Sequence, residues 1–216
     1  MPKRVRMVAE IIAEKCTGCR LCEQVCPTVA IGMRERLPTE AGEWRMIAIL
    51  EPEACYNAQA CVEICPHDAI EMIELEKPFD VAFDISSVNF DEVSALCRKS
   101  GYGPEMKICV CTTTTAGEIA AAVIGGANTM EKISLATGAR TGCEELCIQP
   151  MLEILIAAGH GDSPRNPKNG FQWYGRSATL WQHLDADGNI PEAITQAYSN
   201  YPVNRERADI ARLRKR

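Results

Sequence analysis

Closely spaced cysteines near the start of the chain are the residues with the clearest capacity for chemistry. Four of them, followed by Pro27, are separated by two, two and three residues: Cys16, Cys19, Cys22 and Cys26. Thiolates at this spacing form the C-x2-C-x2-C-x3-C-P run that holds bacterial iron–sulfur clusters. Three of the thiolates bind one [4Fe-4S] cluster, and the fourth ligates another cluster where two are present. The run therefore predicts a second set of cysteines.

The second set lies 39 residues further on, because this part of the sequence is duplicated. The fixed offset relates Cys16, Cys22, Cys26 and Pro27 to Cys55, Cys61, Cys65 and Pro66. One position differs, since Cys19 maps onto Ala58. With crossed ligation, the first cluster has a complete set of ligands, Cys16, Cys19, Cys22 and Cys65. The second has only Cys26, Cys55 and Cys61, because a methyl group cannot bind iron.

The incomplete second set leaves three interpretations open. The direct one is a [3Fe-4S] cluster beside the [4Fe-4S] cluster, and the pattern resembles seven-iron ferredoxins, which also lose the second cysteine of one motif. The alternatives are a [4Fe-4S] cluster with water or an exogenous ligand on the open iron, and an empty site. Cys97 lies on a helix predicted to be capped by Asn89 and is expected to be a small buried hydrophobe. As a ligand, it would be the candidate to complete the second set.

A further group of four cysteines falls into two pairs. Cys109 and Cys111 stand one residue apart, and Cys143 and Cys147 follow with three residues between them. Four thiolates in two pairs suit a [2Fe-2S] cluster or a structural zinc ion. The iron–sulfur runs earlier in the same chain favour the [2Fe-2S] cluster.

Short helices are the elements expected to bring these two pairs together. Two capping boxes mark helix starts, Thr115-x-x-Glu118 and Asn128-x-x-Glu131, and the second helix is expected to end at Gly138. Pro150 suits the first position of a last helix over residues 151–158.

This region resembles the bacterioferritin-associated-ferredoxin-like (BFD-like) [2Fe-2S] domain. The matching features are Cys109-x-Cys111, the helix over residues 115–127 with its Gly-Ala exit, residues 137–139 and Thr141-Gly142-Cys143. The last cysteine pair of that family is separated by two residues, whereas here it is separated by three. The resemblance implies a [2Fe-2S] cluster held by Cys109, Cys111, Cys143 and Cys147.

The strands and helices expected around the cysteines predict an α+β fold. The first part resembles the duplicated strand–helix fold of two-cluster ferredoxins. A joint is expected at residues 76–78, followed by a strand over residues 79–85. The predicted organisation is a two-cluster ferredoxin domain at 1–76, a connecting strand and helix at 77–108, a small all-α [2Fe-2S] domain at 109–159 and an extended C-terminal arm at 160–216.

The arm has a composition of its own. It carries several large aromatic residues in a segment too short for a separate core: Phe171, Trp173, Tyr174 and Trp181. Aromatic side chains are favoured anchors at interfaces, so the arm is predicted to lie on a partner subunit, with packing on the [2Fe-2S] domain as the alternative. The basic end, residues 205–216, suits an acidic partner surface or anionic lipid headgroups, or forms a solvated helix.

Composition excludes several classes of function. The net charge of −6 over 216 residues argues against general nucleic-acid binding. The longest apolar run, residues 119–123, is too short for a transmembrane segment. No apolar signal segment opens the chain, and its 12 cysteines fall largely into ligand spacings. These features predict a reduced, metal-binding protein of the cytoplasm.

The sequence lacks a dinucleotide fingerprint, a phosphate loop and a nucleophile elbow, so no catalytic residue or substrate site is predicted in this chain. The two domains resemble modules of flavin-dependent dehydrogenases, including amino-acid and opine oxidising complexes and glycerol-phosphate-type enzymes. This resemblance implies an electron-transfer subunit of a hetero-oligomer whose partner holds FAD or FMN, with a quinone or a soluble carrier as a further partner. The alternatives are a free electron carrier and an iron- or cluster-handling protein.

Overall fold

The structure is a computed structural model that describes residues 2–161, 189–197 and 199. It has a mixed α+β architecture in which short helices accompany small two-stranded antiparallel sheets. The chain divides into two compact units, and the description of the second covers one helix, Glu192–Ala197. The predicted aromatic arm and basic end lie outside the described residues.

The first part of the larger unit contains four strands and two short helices. In chain order these are β1 (Lys3–Ile11), α1 (Leu21–Val25), β2 (Ile31–Glu35), β3 (Met46–Leu50), α2 (Ala60–Ile64) and β4 (Ile70–Val81). Strand β1 pairs with β4 and β2 pairs with β3, so each sheet takes one strand from each copy of the duplication. Apolar side chains such as Val5, Ile31 and Ile47 pack in a core together with several of the cysteines.

The backbone repeats where the sequence repeats. Residues 39 positions apart share positive φ angles, in the pairs Gly18 and Asn57, Arg20 and Gln59, and Val29 and Asp68. Two hydrogen bonds are related in the same way: Ile12 N–H donates to Ala69 O at 2.9 Å, and Glu51 N–H donates to Ala30 O at 2.8 Å. The two copies therefore have matching ligand loops and matching connections to each other.

The predicted joint at residues 76–78 lies inside a strand. Strand β4 is continuous from Ile70 to Val81, because β1 extends far enough to pair Lys3 with Val81. The strand predicted over residues 79–85 is accordingly the end of β4, followed by a short 3-10 turn at residues 85–87. The register shifts between Val5 and Met7, opposite the segment that contains Pro78. A bulge accommodates this proline, which has no N–H to donate to a sheet.

The second part of this unit packs short helices around a core of its own. Its elements are α3 (Phe90–Lys99), β5 (Lys107–Cys109), β6 (Thr114–Thr115), α4 (Ala116–Ile124), α5 (Met130–Thr137) and α6 (Ile148–Ala157). The short β5–β6 hairpin was not expected from the sequence, which predicted helices alone here. Buried side chains such as Ile119, Met130 and Leu155 form the core. Among the helices described, none combines the length and the apolar character that crossing a bilayer requires.

Two of the predicted helix starts are confirmed. The Asn89 side chain accepts a hydrogen bond from Asp91 N–H at 2.9 Å and caps α3. The reciprocal capping box of Thr115 and Glu118 opens α4, with hydrogen bonds of 3.2 and 2.7 Å. Gly138 ends α5 in the left-handed conformation, as predicted.

The predicted starts of two other helices are wrong by one or two residues. Helix α5 is capped by Thr129, whose hydroxyl accepts from Lys132 N–H, while the Asn128 side chain accepts from the Lys132 ammonium. Helix α6 begins at Ile148, so Pro150 is its third residue rather than its first. The first four N–H groups of a helix have no partner within the helix, which lets proline occupy this position without losing a hydrogen bond.

Candidate metal centres

The first predicted ligand set surrounds one cavity. The four cysteines Cys16, Cys19, Cys22 and Cys65 all line it, and they come from both copies of the duplication. Backbone N–H groups point at two of the sulfur atoms: Ala48 N–H donates to Cys16 Sγ at 3.5 Å and Ala69 N–H to Cys65 Sγ at 3.4 Å. Such donors stabilise thiolates, which are the form that binds iron.

The chemistry of this cavity fits a [4Fe-4S] cluster. Four thiols are the full ligand set of a cubane. The Thr17 hydroxyl is buried, lines the same cavity and has no hydrogen-bond partner within the described part of the chain. A cluster in the cavity supplies sulfur atoms that accept such a bond. The donors and the orphaned hydroxyl together suit a sulfur-rich group better than an apolar one.

The second set surrounds a separate cavity. Cys26, Cys55 and Cys61 line it together with Ala58, whose methyl group stands at the position equivalent to Cys19. Ala30 N–H donates to Cys26 Sγ at 3.2 Å, in the same way as its counterpart in the first site. The three thiols and the sulfur-directed donor fit a cluster with three cysteine ligands.

Cys97 is not among the residues that line this second cavity. It is fully buried on α3, in the core of the second part of the unit, beside residues such as Val93. Burial raises the pKa of its thiol. This is the environment of a small hydrophobe, as the sequence predicted.

Burial also changes the acidity of two ligand candidates. Desolvation raises the pKa of Cys22 to about 11 and that of Cys61 to about 12, and neighbouring sulfur atoms add to the effect. Both thiols are therefore protonated at neutral pH when no metal is bound. Because iron binds the thiolate, cluster assembly at these sites releases protons and is favoured by higher pH.

The third set brings two thiol pairs together. Cys109 on β5 is hydrogen-bonded to Cys147 at the start of α6, and Cys111 is hydrogen-bonded to Cys143. Cys109 and Cys147 are buried, whereas Cys111 and Cys143 are exposed. The bond with Cys147 lowers the pKa of Cys109 to about 5, and the same bond raises the pKa of Cys147.

This arrangement fits a [2Fe-2S] cluster, which needs two thiolates at each of two iron atoms. The two hydrogen-bonded pairs, Cys109 with Cys147 and Cys111 with Cys143, each place two thiols side by side, as one iron atom of such a cluster requires. Gly142 keeps the site open, since a Cβ there would lie 2.5 Å from Cys111 Cβ and 3.0 Å from its sulfur.

Replacing Gly18 by alanine is expected to destabilise the protein by about 3 kcal/mol and to lower iron occupancy at the first site. Gly18 has φ +72°, and an added Cβ would lie 2.6 Å from both Met46 O and Met46 Cβ. The measurement is the free energy of unfolding in urea, with iron counted on the same samples. Gly103→Ala is the control, because nothing lies within 4 Å of its added Cβ. Equal effects of both substitutions would contradict the prediction.

One residue near the sites was missed at the level of sequence. Arg140 is only 2% exposed, and its guanidinium donates to Pro27 O at 2.8 Å, beside Cys26. In the sequence, Arg140 stands out as the single charged residue within a stretch of small residues from Ala136 to Gly142. Its partner could not be inferred, since the two residues are 113 positions apart in the chain.

Comparisons with known families agree with this division of sites. The family model for a 4Fe-4S dicluster domain matches residues 9–69, and the model for a BFD-like [2Fe-2S] binding domain matches residues 107–157. No curated protein and no solved structure shows significant similarity to the chain. Both families bind iron–sulfur clusters, whose general role is electron transfer. The chain therefore carries a 4Fe-4S dicluster domain followed by a BFD-like [2Fe-2S] binding domain, and it has an electron-transfer role.

Proposed function

We propose that this chain is the iron–sulfur subunit of a hetero-oligomeric flavoprotein dehydrogenase or reductase. The observation that carries the proposal is the presence of three thiol sites within one compact unit. When bound, the clusters accept and release one electron at a time. A partner that holds FAD or FMN would perform the two-electron chemistry on a substrate, and a quinone or a soluble carrier would be the other redox partner.

The ligand assignment follows the crossed pattern. Cys16, Cys19, Cys22 and Cys65 would hold [4Fe-4S], Cys26, Cys55 and Cys61 would hold [3Fe-4S], and Cys109, Cys111, Cys143 and Cys147 would hold [2Fe-2S]. The first two sets belong to a ferredoxin-type duplicated domain, which ends with β4 at Val81, and the third belongs to a [2Fe-2S] domain at residues 109–159. Residues 82–108 connect them, and residues 160–216 are assigned to partner binding.

Electrostatic interactions between the sites support a relay from the first site through the second to the third. Cys22 of the first site and Cys61 of the second are close enough to interact electrostatically. Lys3 interacts in the same way with Cys55 of the second site and with Cys109 of the third. The second site is thus close to both the first and the third.

The exposure of thiols in the first and third sites supports electron exchange with partner proteins at these two sites. Cys19 in the first site is exposed, as are Cys111 and Cys143 in the third, whereas Cys55 and Cys61 in the second are buried. The side chains of Val110 and Leu146, next to ligands of the third site, are 70% and 74% exposed. Exposed apolar residues beside an exposed redox site suit contact with another protein.

Anaerobic purification of the full chain from its own organism, with flavin and iron measured on the same sample, tests the proposal. We expect a flavin-containing chain to copurify in a fixed ratio and to survive gel filtration. A flavin-free monomer with stable clusters would overturn the proposal and favour a free carrier. A flavin-free protein that readily loses its [2Fe-2S] cluster to an apoprotein would overturn it in favour of cluster handling.

A further inference from the structure

Arg140 contacts both the second and the third site. Its backbone N–H donates to the sulfur atoms of Cys109 and Cys147, which face each other in the third site. Its guanidinium reaches in the other direction and donates to Pro27 O at 2.8 Å. Pro27 follows Cys26 directly and lines the cavity of the second site. A single residue therefore joins the ligand loops of two clusters.

The side chain is held in place from several directions. Nε of Arg140 donates to Ser134 Oγ at 3.3 Å, and Nη2 lies 3.9 Å from Glu131 Oε1. The backbone has φ +67°, a conformation that L-residues adopt at some cost. This conformation directs the N–H to the third site while the side chain extends to the second. An arginine suits this position because its planar guanidinium presents several donors in a fixed geometry, whereas a lysine ammonium is a point charge on a flexible chain.

Two further hydrogen bonds connect the same parts of the unit. Lys3 on β1 donates to Thr141 O at 2.6 Å, next to Arg140 in the chain. Tyr56, which follows Cys55, donates to Leu135 O at 2.8 Å. Lys3 also places a second positive charge near the sulfur atoms of both sites. The contact between the two domains therefore lies between two cluster sites and carries two cations.

We propose that Arg140 is a positioning residue that fixes the second site against the third and raises the reduction potentials of both through its buried positive charge. Reduction adds one negative charge to a cluster, and a nearby cation in a medium of low polarity stabilises that added charge. A charge shared by both sites raises both potentials. The inference rests on the proposed electron-transfer function, because it requires clusters at these sites.

The test is a potentiometric titration of the full-length holoprotein, followed by electron paramagnetic resonance so that each cluster is observed separately. In Arg140→Met, we expect the equilibrium constant for reduction to fall about tenfold at both the second and the third site, a shift of about 59 mV. The first site should change much less. The control is Arg4→Met, which removes an equally large charge from an exposed pair with Asp80. It should leave all three potentials unchanged.

Lys3→Met is the second variant, in case the Arg140 substitution prevents folding. It removes a charge near both sites, and the two potentials should fall together by a smaller factor. A potential that moves at one site only, or no movement in either variant, would overturn the inference. Wild-type protein without signals from these clusters would instead overturn the proposed function, so the two failures are distinguishable.

Discussion

Replacing Ala58 by cysteine is expected to raise the iron content of the isolated protein by about one atom per chain. Ala58 lines the second cavity together with Cys26, Cys55 and Cys61, at the position equivalent to Cys19. A thiolate there completes a set of four, so the site is expected to hold [4Fe-4S] in place of [3Fe-4S]. Iron analysis and electron paramagnetic resonance of the oxidised protein measure the change, since the signal of an oxidised three-iron cluster should disappear.

Ala41→Cys is the matched control, because it adds a thiol at an exposed turn away from the residues that line the cavity. It should leave the iron content and the oxidised signal unchanged. If Ala58→Cys also leaves both unchanged, the second site is empty or is already completed by a ligand from outside the chain. Either result would contradict the [3Fe-4S] assignment.

Replacing Cys111 by serine is expected to abolish the [2Fe-2S] signal while both ferredoxin-type clusters remain. Cys111 pairs with Cys143, and the loss of one thiolate leaves one iron atom with a single protein sulfur. Because Cys111 is exposed, the substitution should not disturb the core. The measurement is electron paramagnetic resonance after reduction, with iron and zinc counted on the same sample.

The control for this prediction is Cys97→Ala, which removes a buried thiol that is absent from all three sets. It should lower the free energy of unfolding by about 1 kcal/mol and leave every cluster signal in place. A wild-type protein with zinc and without a [2Fe-2S] signal would show that the third site is a zinc centre.

The grouping of the cysteines around the two cavities could be predicted from the sequence because cluster binding imposes local spacing. The duplication at 39 residues located the second run, and the single exception at Ala58 stood out against it. The capping box of Thr115 and Glu118 was equally local, since both hydrogen bonds join residues three positions apart. Features of this kind depend on few residues and on no distant partner.

The wrong or missing predictions concern either two adjacent residues that compete for the same role or contacts between residues far apart in the chain. Asn128 and Thr129 are both good helix caps, and the sequence does not decide which of two adjacent caps accepts the N–H of Lys132. The continuation of β4 through residues 76–78 depends on β1, at the other end of the domain. The contact of Arg140 with Pro27 depends on how two domains pack, which no local pattern records.

The exchange of residues between the two copies has a consequence for assembly. Each ferredoxin-type cavity takes cysteines from both copies, Cys65 in the first and Cys26 in the second. A peptide with one copy alone would have to dimerise to complete either cavity, and its metal loading would then depend on its concentration. Because both copies are in one chain, the completion of each cavity is an intramolecular step with a high effective concentration of the missing cysteine. Completion of each ligand set in the fused chain is therefore independent of protein concentration.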